Sequence, residues 1–95
     1  MIKVIAKMTI KEDMVETFKS SITELVAETR KEAGCIAYQV FQDVKDKKVL
    51  TFVEEWEGME VLKRHMSSKH FTEMMPKLAK LQEKDMELSV CTLVI

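Results

Sequence analysis

The sequence predicts an α+β fold of the ferredoxin-like kind: one antiparallel sheet with helices on one face. Three observations predict it. Apolar residues recur at period two in four stretches and at helical period between them, in the order β-α-β-β-α-β. The 95 residues support a single domain, 1–95, with one modest core. One Pro, two Gly and no internal repeat leave no room for a linker.

The first strand is Ile2 to Ile10. Ile2, Val4, Ala6, Met8 and Ile10 share one face, and Lys3, Ile5, Lys7 and Thr9 the other. A helix follows, from about Lys11 to Ala33. At 100° per residue, Met14, Val15, Phe18, Ile22, Leu25 and Val26 fall within an arc of about 120°. Glu12 and Asp13 in its first turn, and Arg30 and Lys31 near its last, suit the helix dipole. Gly34 is placed as its stop. Two β-rich runs, Cys35–Gln42 and Lys48–Trp56, flank the polar turn Asp43–Lys47 and read as a hairpin. A short helix starts at Gly58 and runs to about Met66. Ser67-Ser68 breaks it and offers a new N-cap. Phe71, Met74, Met75, Leu78 and Leu81 then share one helical arc, and Pro76 is expected to kink that helix near Thr72–Met75. Met86–Ile95 closes the sheet.

The ferredoxin-like order of strands is 4-1-3-2, which sends Cys35 and Cys91 to opposite edges. Both are expected to be reduced, buried thiols, and two cysteines make no zinc signature. The strands are apolar on both sides. Val49 and Val53 alternate with Leu50, Phe52 and Trp56; Leu88, Val90 and Val94 alternate with Cys91, Leu93 and Ile95. Two helices cover one face of a four-stranded sheet, so the other face is expected to meet a second copy, giving a homodimer.

Lys and Arg number 15 against 16 Asp and Glu, a net charge of -1, without the basic footprint of a nucleic-acid binder. No polybasic cluster addresses an anionic membrane. No apolar stretch approaches the ~20 residues of a membrane span. Lys3 and Lys7 interrupt any signal-peptide core, and the cytoplasm is the expected compartment.

Phosphate loops, dinucleotide fingerprints, G-x-S-x-G and H-E-x-x-H are all missing, so no organic cofactor is expected. The residues left to carry chemistry are Tyr38, Glu55, Trp56, His65, His70 and Phe71. His65 lies amid Val61, Leu62 and Met66 and points inward, either as a core histidine or as a neutral imidazole facing a pocket. His70 is five positions on. On a continuous helix the two rings would stand about 140° apart, which argues against a shared metal, though the serine break loosens that limit. Trp56 packs the core or walls a pocket. Glu55 needs a partner, such as Lys3 or Lys7, if it does not face a ligand. The Tyr38 hydroxyl faces a pocket or solvent. Met66, Met74 and Met75 fill the core or form an adaptable wall for a flat ligand.

Glu32-Ala33-Gly34-Cys35-Ile36-Ala37-Tyr38 resembles the E-x-G-C-x-x-Y segment of the antibiotic biosynthesis monooxygenase family. Glu55-Trp56 followed by His65-Met66-Ser67-Ser68-Lys69-His70-Phe71 resembles its E-x-W…H-x-x-S-x-H-F signature, with Glu54 or Glu55 in the acidic position. The likeness runs over the whole chain without insertions. It implies a dimeric α+β barrel with a pocket between sheet and helices in each subunit. Family members include cofactor-free oxygenases of polycyclic phenols and quinols, haem-degrading enzymes and enzymes of a phosphorylated signalling sugar derivative. The haem branch matches poorly: its Trp, haem-ligating His and Asn fall at His65, about Met75 and near Ala6. The resemblance therefore implies a cofactor-independent monooxygenase that uses O₂ on a quinol- or phenol-like compound, with no metal. It implies His65 as base, His70 second, and Tyr38, Phe52, Glu55, Trp56, Phe71 and Met75 as pocket residues. An isomerase of a phosphorylated metabolite, with Ser67, Ser68 and Lys69 at the phosphate, and a non-catalytic ligand-binding dimer are the alternatives.

Overall fold

β1 spans Ile2–Thr9, and its alternation holds through Met8: Ile2, Val4, Ala6 and Met8 are buried while Ile5 and Lys7 are exposed, but Thr9, expected on the face of Ile5 and Lys7, is buried as well. The structure, a computed structural model, describes residues 1–95. After a single 3₁₀ turn at Glu12–Met14 comes α1, Val15–Arg30. β2 (Cys35–Gln42) and β3 (Val49–Trp56) form the expected hairpin. α2 (Met59–Met66), α3 (Lys69–Ala79) and β4 (Glu87–Thr92) follow. The sheet is antiparallel in the order β2-β3-β1-β4, as the ferredoxin-like reading requires.

α1 is shorter than the periodicity suggested. Lys11 is extended at φ -56°, ψ 139°, which starts the helix later, and the chain leaves it at Arg30. Gly34 is not the helix stop but the last residue of the connection to β2, at φ +88°. A Cβ there would lie 2.5 Å from a Val61 methyl carbon, so both the backbone and the neighbour demand glycine. Asp43 shapes the hairpin turn by accepting hydrogen bonds from the backbone N–H of Lys45 and Asp46. Ser68 caps α3 by accepting from the Phe71 N–H. α3 runs through Pro76 without interruption, because only the one bond to Thr72 is lost and the flanking turns remain packed. β4 stops at Thr92 because Thr92 already pairs with Ile2, where β1 begins; Leu93–Ile95 have no strand to join.

α1 and α3 pack side by side over the sheet, and the core between them holds 15 residues, with Trp56, Phe18, Ile10 and Leu78 fully buried. The helices leave β4 uncovered. Leu88 and Val90 pair with Ala6 and Val4 and so face the helix side, yet remain 54% and 49% exposed. Exposed apolar groups lie on the outer sheet face, with Ile5 and Phe41, along the helix side of β4, in Leu93–Ile95 beyond it, at Val44 in the hairpin turn and at Met59 and Met66 of α2. Cys35 and Cys91 are free and lie on opposite edge strands; edge positions leave them half-buried rather than buried.

Candidate active site

Between the sheet and the α2–α3 corner lies a cavity of about 60 Å³. Its floor is Val4, Ala6 and Met8 of β1, Tyr38 of β2, Phe52 and Glu54 of β3, and Leu88 of β4. Its roof is Leu62, His65 and Met66 of α2 with Phe71 and Met75 of α3, and Met86 stands at its side. Glu54 and His65 are the only lining residues with ionisable side chains besides Tyr38.

His65 is held from behind. Its Nδ1 lies 2.7 Å from Oε2 of Glu32, which sits in the α1–β2 connection. A carboxylate oxygen accepts, so Nδ1 carries the hydrogen and Nε2 keeps its lone pair. The ring rests against Trp56 at 4.6 Å between centroids and meets Phe71 edge-on at 4.9 Å. Burial holds its pKa below the ordinary 6.5, against the opposing pull of Glu32. Nε2 has no protein partner. The ring itself lines the cavity.

Glu54 mirrors this arrangement from the floor. It pairs across the sheet with Val4 and Tyr38 and is 6% exposed. The Trp56 indole N–H donates to Oε1 at 2.9 Å. Burial, with the negative charge of Glu32 adding to it, pushes its pKa up to about 7, although the indole hydrogen bond pulls the other way. Oε2 has no hydrogen-bond partner, and Glu54 lines the same cavity.

His70 stays outside the cavity. Its Nε2 lies 2.7 Å from the same Glu32 oxygen and 3.2 Å from the Ser68 hydroxyl, which itself donates to the His65 carbonyl at 2.6 Å. The serine break thus turns two rings that a continuous helix would separate onto one carboxylate, 6.0 Å apart. The three ligand atoms of Glu32, His65 and His70 lie within 4.8 Å of one another, a donor set of metal-binding type. Here the hydrogen bonds to Glu32 engage both rings.

Of the residues singled out in the sequence, His65, Tyr38, Phe52, Phe71 and Met75 line the cavity. Trp56 is fully buried behind it, bracing His65 and Glu54. Glu55 faces the opposite side of the sheet, where Lys3, its cross-strand partner, binds it at 3.2 Å. The acidic position at the cavity is Glu54; its shared parity with Phe52 and Trp56 was the available signal. Glu32 gave none beyond its place at the head of the E-x-G-C segment, because only the fold brings it to His65.

A single antiparallel sheet backed by helices, with an apolar cavity between them that is lined by one histidine and one carboxyl, defines a small α+β domain of the ferredoxin-like kind. Residues 1–77 match the antibiotic biosynthesis monooxygenase family, and the chain belongs to that family. A crystal structure described as an antibiotic biosynthesis monooxygenase is 35% identical, with both chains covered in full and a TM-score of 0.95. That of a conserved protein from Methanosarcina mazei is 37% identical over 95% of this chain and 89% of that one, TM-score 0.93. An uncharacterized protein from Synechocystis is 27% identical over 89 residues, or 94% of this chain; the chain spans 60% of that relative's length. No helix is long and apolar enough to cross a membrane.

Proposed function

We propose that the protein is a dimeric, cofactor-independent monooxygenase that oxidises a phenol- or quinol-like compound with O₂. The observation that supports it is the paired commitment of His65: Nδ1 is occupied by Glu32 and Nε2 is free in an apolar cavity. A phenol has a pKa of about 10, and its anion donates electrons to O₂ far more readily than the neutral form. His65 Nε2 takes the hydroxyl proton. The phenolate gives its electrons to O₂, one oxygen atom bonds to a ring carbon, and the other leaves as water, taking the hydrogen that carbon loses and the proton that His65 holds. A phenol and O₂ thus become a quinone and water, with atoms and electrons balanced. The chain supplies a base, a dry site and orientation.

The cavity is smaller than the ~150 Å³ apolar cavity that accepts benzene, so a ring enters as the flexible side chains of Met66, Met75 and Met86 give way. Ser67, Ser68 and Lys69, where the phosphorylated-substrate reading seats its phosphate, do not line the cavity, and the cavity wall itself carries no lysine or arginine. The test is O₂ consumption with a panel of mono- and bicyclic hydroquinones after exhaustive treatment with chelator. Turnover that His65→Gln abolishes supports the reading. Tight binding with no O₂ uptake by any phenol overturns it in favour of a binding protein.

A further inference from the structure

The roof and the floor of the cavity each present one polar group, and they do so differently. His65 offers a lone pair from the roof; Glu54 offers a carboxyl oxygen from the floor, with its other oxygen tied to Trp56. One tryptophan braces both, stacking on the first and hydrogen-bonding the second. An acidic side chain this buried and paired with no cation is costly, and packing alone would be served by a Leu or Met. Its neighbours heighten the cost. The titratable groups that act with or upon it are Tyr38 and Cys35 of β2 and Glu32, none of them a cation. A ligand in the cavity therefore meets a carboxyl whose free oxygen has no other partner.

We propose that Glu54 is the residue that fixes substrate charge: its free oxygen hydrogen-bonds a polar atom of the bound ring, so the site accepts uncharged hydroxyarenes and rejects anionic ones of the same shape. The physics is short-range. Above about pH 7 Glu54 is ionised, and a ligand that enters already anionic brings a second negative charge beside it, in surroundings where like charges interact several-fold more strongly than in water. A phenolate formed in place differs, because the proton it loses stays on His65 as a balancing cation. An uncharged ligand that carries a hydroxyl and a second polar atom satisfies both Nε2 of His65 and the Glu54 oxygen. This assignment rests on the cavity being the substrate site, as the oxygenase reading has it, but it concerns binding and requires no turnover.

The test uses 4-hydroxybenzamide and 4-hydroxybenzoate, which share ring, hydroxyl and outline and differ in charge. Calorimetry at pH 8 on the wild type should show the amide binding at least about ten-fold more tightly. Glu54→Gln keeps the shape and an acceptor for the Trp56 indole but no charge, and should narrow that ratio to about two-fold or less. Glu55→Gln, one residue along on the far face, should leave the ratio at its wild-type value. Equal affinities in the wild type, a ratio that persists in a folded Glu54→Gln protein, or no binding of the amide to the wild type would each overturn the proposal. Charge selection that Glu54→Gln removes, in a protein that consumes no O₂ with any phenol, would leave Glu54 in this role and overturn the oxygenase reading alone.

Discussion

Glu54 and Glu55 are the same residue type, adjacent in the chain and on one strand, yet they live in different media. Glu54 is 6% exposed, has no cation and holds its proton to about pH 7. Glu55, with 27% of its side chain exposed, lies across from Lys3 and binds it at 3.2 Å. The pleat alone separates them: successive side chains of a strand point to opposite faces. On β3 the helix face is a dry wall, and the outer face is half wet. The same carboxyl is a stored proton on one side and half of an ordinary ion pair on the other.

The contrast is sharpest above Glu54, at His65. His65→Gln should lower the rate of the chemical step by about 10²–10⁴ while the protein stays folded, because it keeps the ring's volume in part and loses the base. Single-turnover kinetics with circular dichroism on the same sample checks this; an unchanged rate removes His65 from the chemistry. The neutral imidazole is the active form, so the wild-type rate should fall as pH drops below 6.5 toward the depressed pKa. Stability has the same sign there: a histidine buried neutral contributes fully above the unfolded value and is lost as pH falls through the folded one.

The next effect belongs to Glu54. Its pKa is raised in the folded state, from 4.5 to about 7, so the folded protein loses stability as pH rises across that interval. Glu54→Gln should therefore leave stability near the wild-type value at pH 4 and raise it by about 3 kcal/mol at pH 8. Urea unfolding at the two pH values measures it, and equal shifts at both would mean that Glu54 is not a buried, proton-holding acid. Trp56→Phe is a smaller and more pointed change. Losing the indole donor should raise the Glu54 midpoint by about one pH unit, the size of a hydrogen bond to a charged group. Carbon NMR of a labelled Glu54 carboxyl reads it, and an unmoved midpoint would deny the brace. Last comes the outer face. Glu55→Gln should cost about 0.2–1 kcal/mol, less at high salt, and leave any oxidation rate alone. A rate loss there would break the contrast between the two faces.

Much of this was legible beforehand. Alternation in Ile2–Thr9 and Val49–Trp56 and the 3.6-residue spacing in α1 follow from local backbone geometry, so element order, the hairpin and the strand order followed from them. The inward aim of His65 was legible for the same reason, being a property of one helix turn. Helix ends were less so: the late start of α1 and its end at Arg30 depend on packing that no window of sequence contains.

The sequence by itself determined that the chain is one antiparallel sheet with helices on one face, that its cysteines lie on opposite edges, and that His65 turns toward the core. Only the tertiary structure decided what His65 meets there. Glu32 is 33 residues away along the chain, and His70 joins it across a helix break, yet all three meet at one carboxylate oxygen. It decided, too, that Glu54 rather than Glu55 reaches the cavity, and that β4 stays uncovered. Periodicity reports which side of an element is apolar, since that is written in neighbouring residues. It does not report which side chains from distant elements share a few cubic ångströms, because that depends on how the elements cross and where their ends fall.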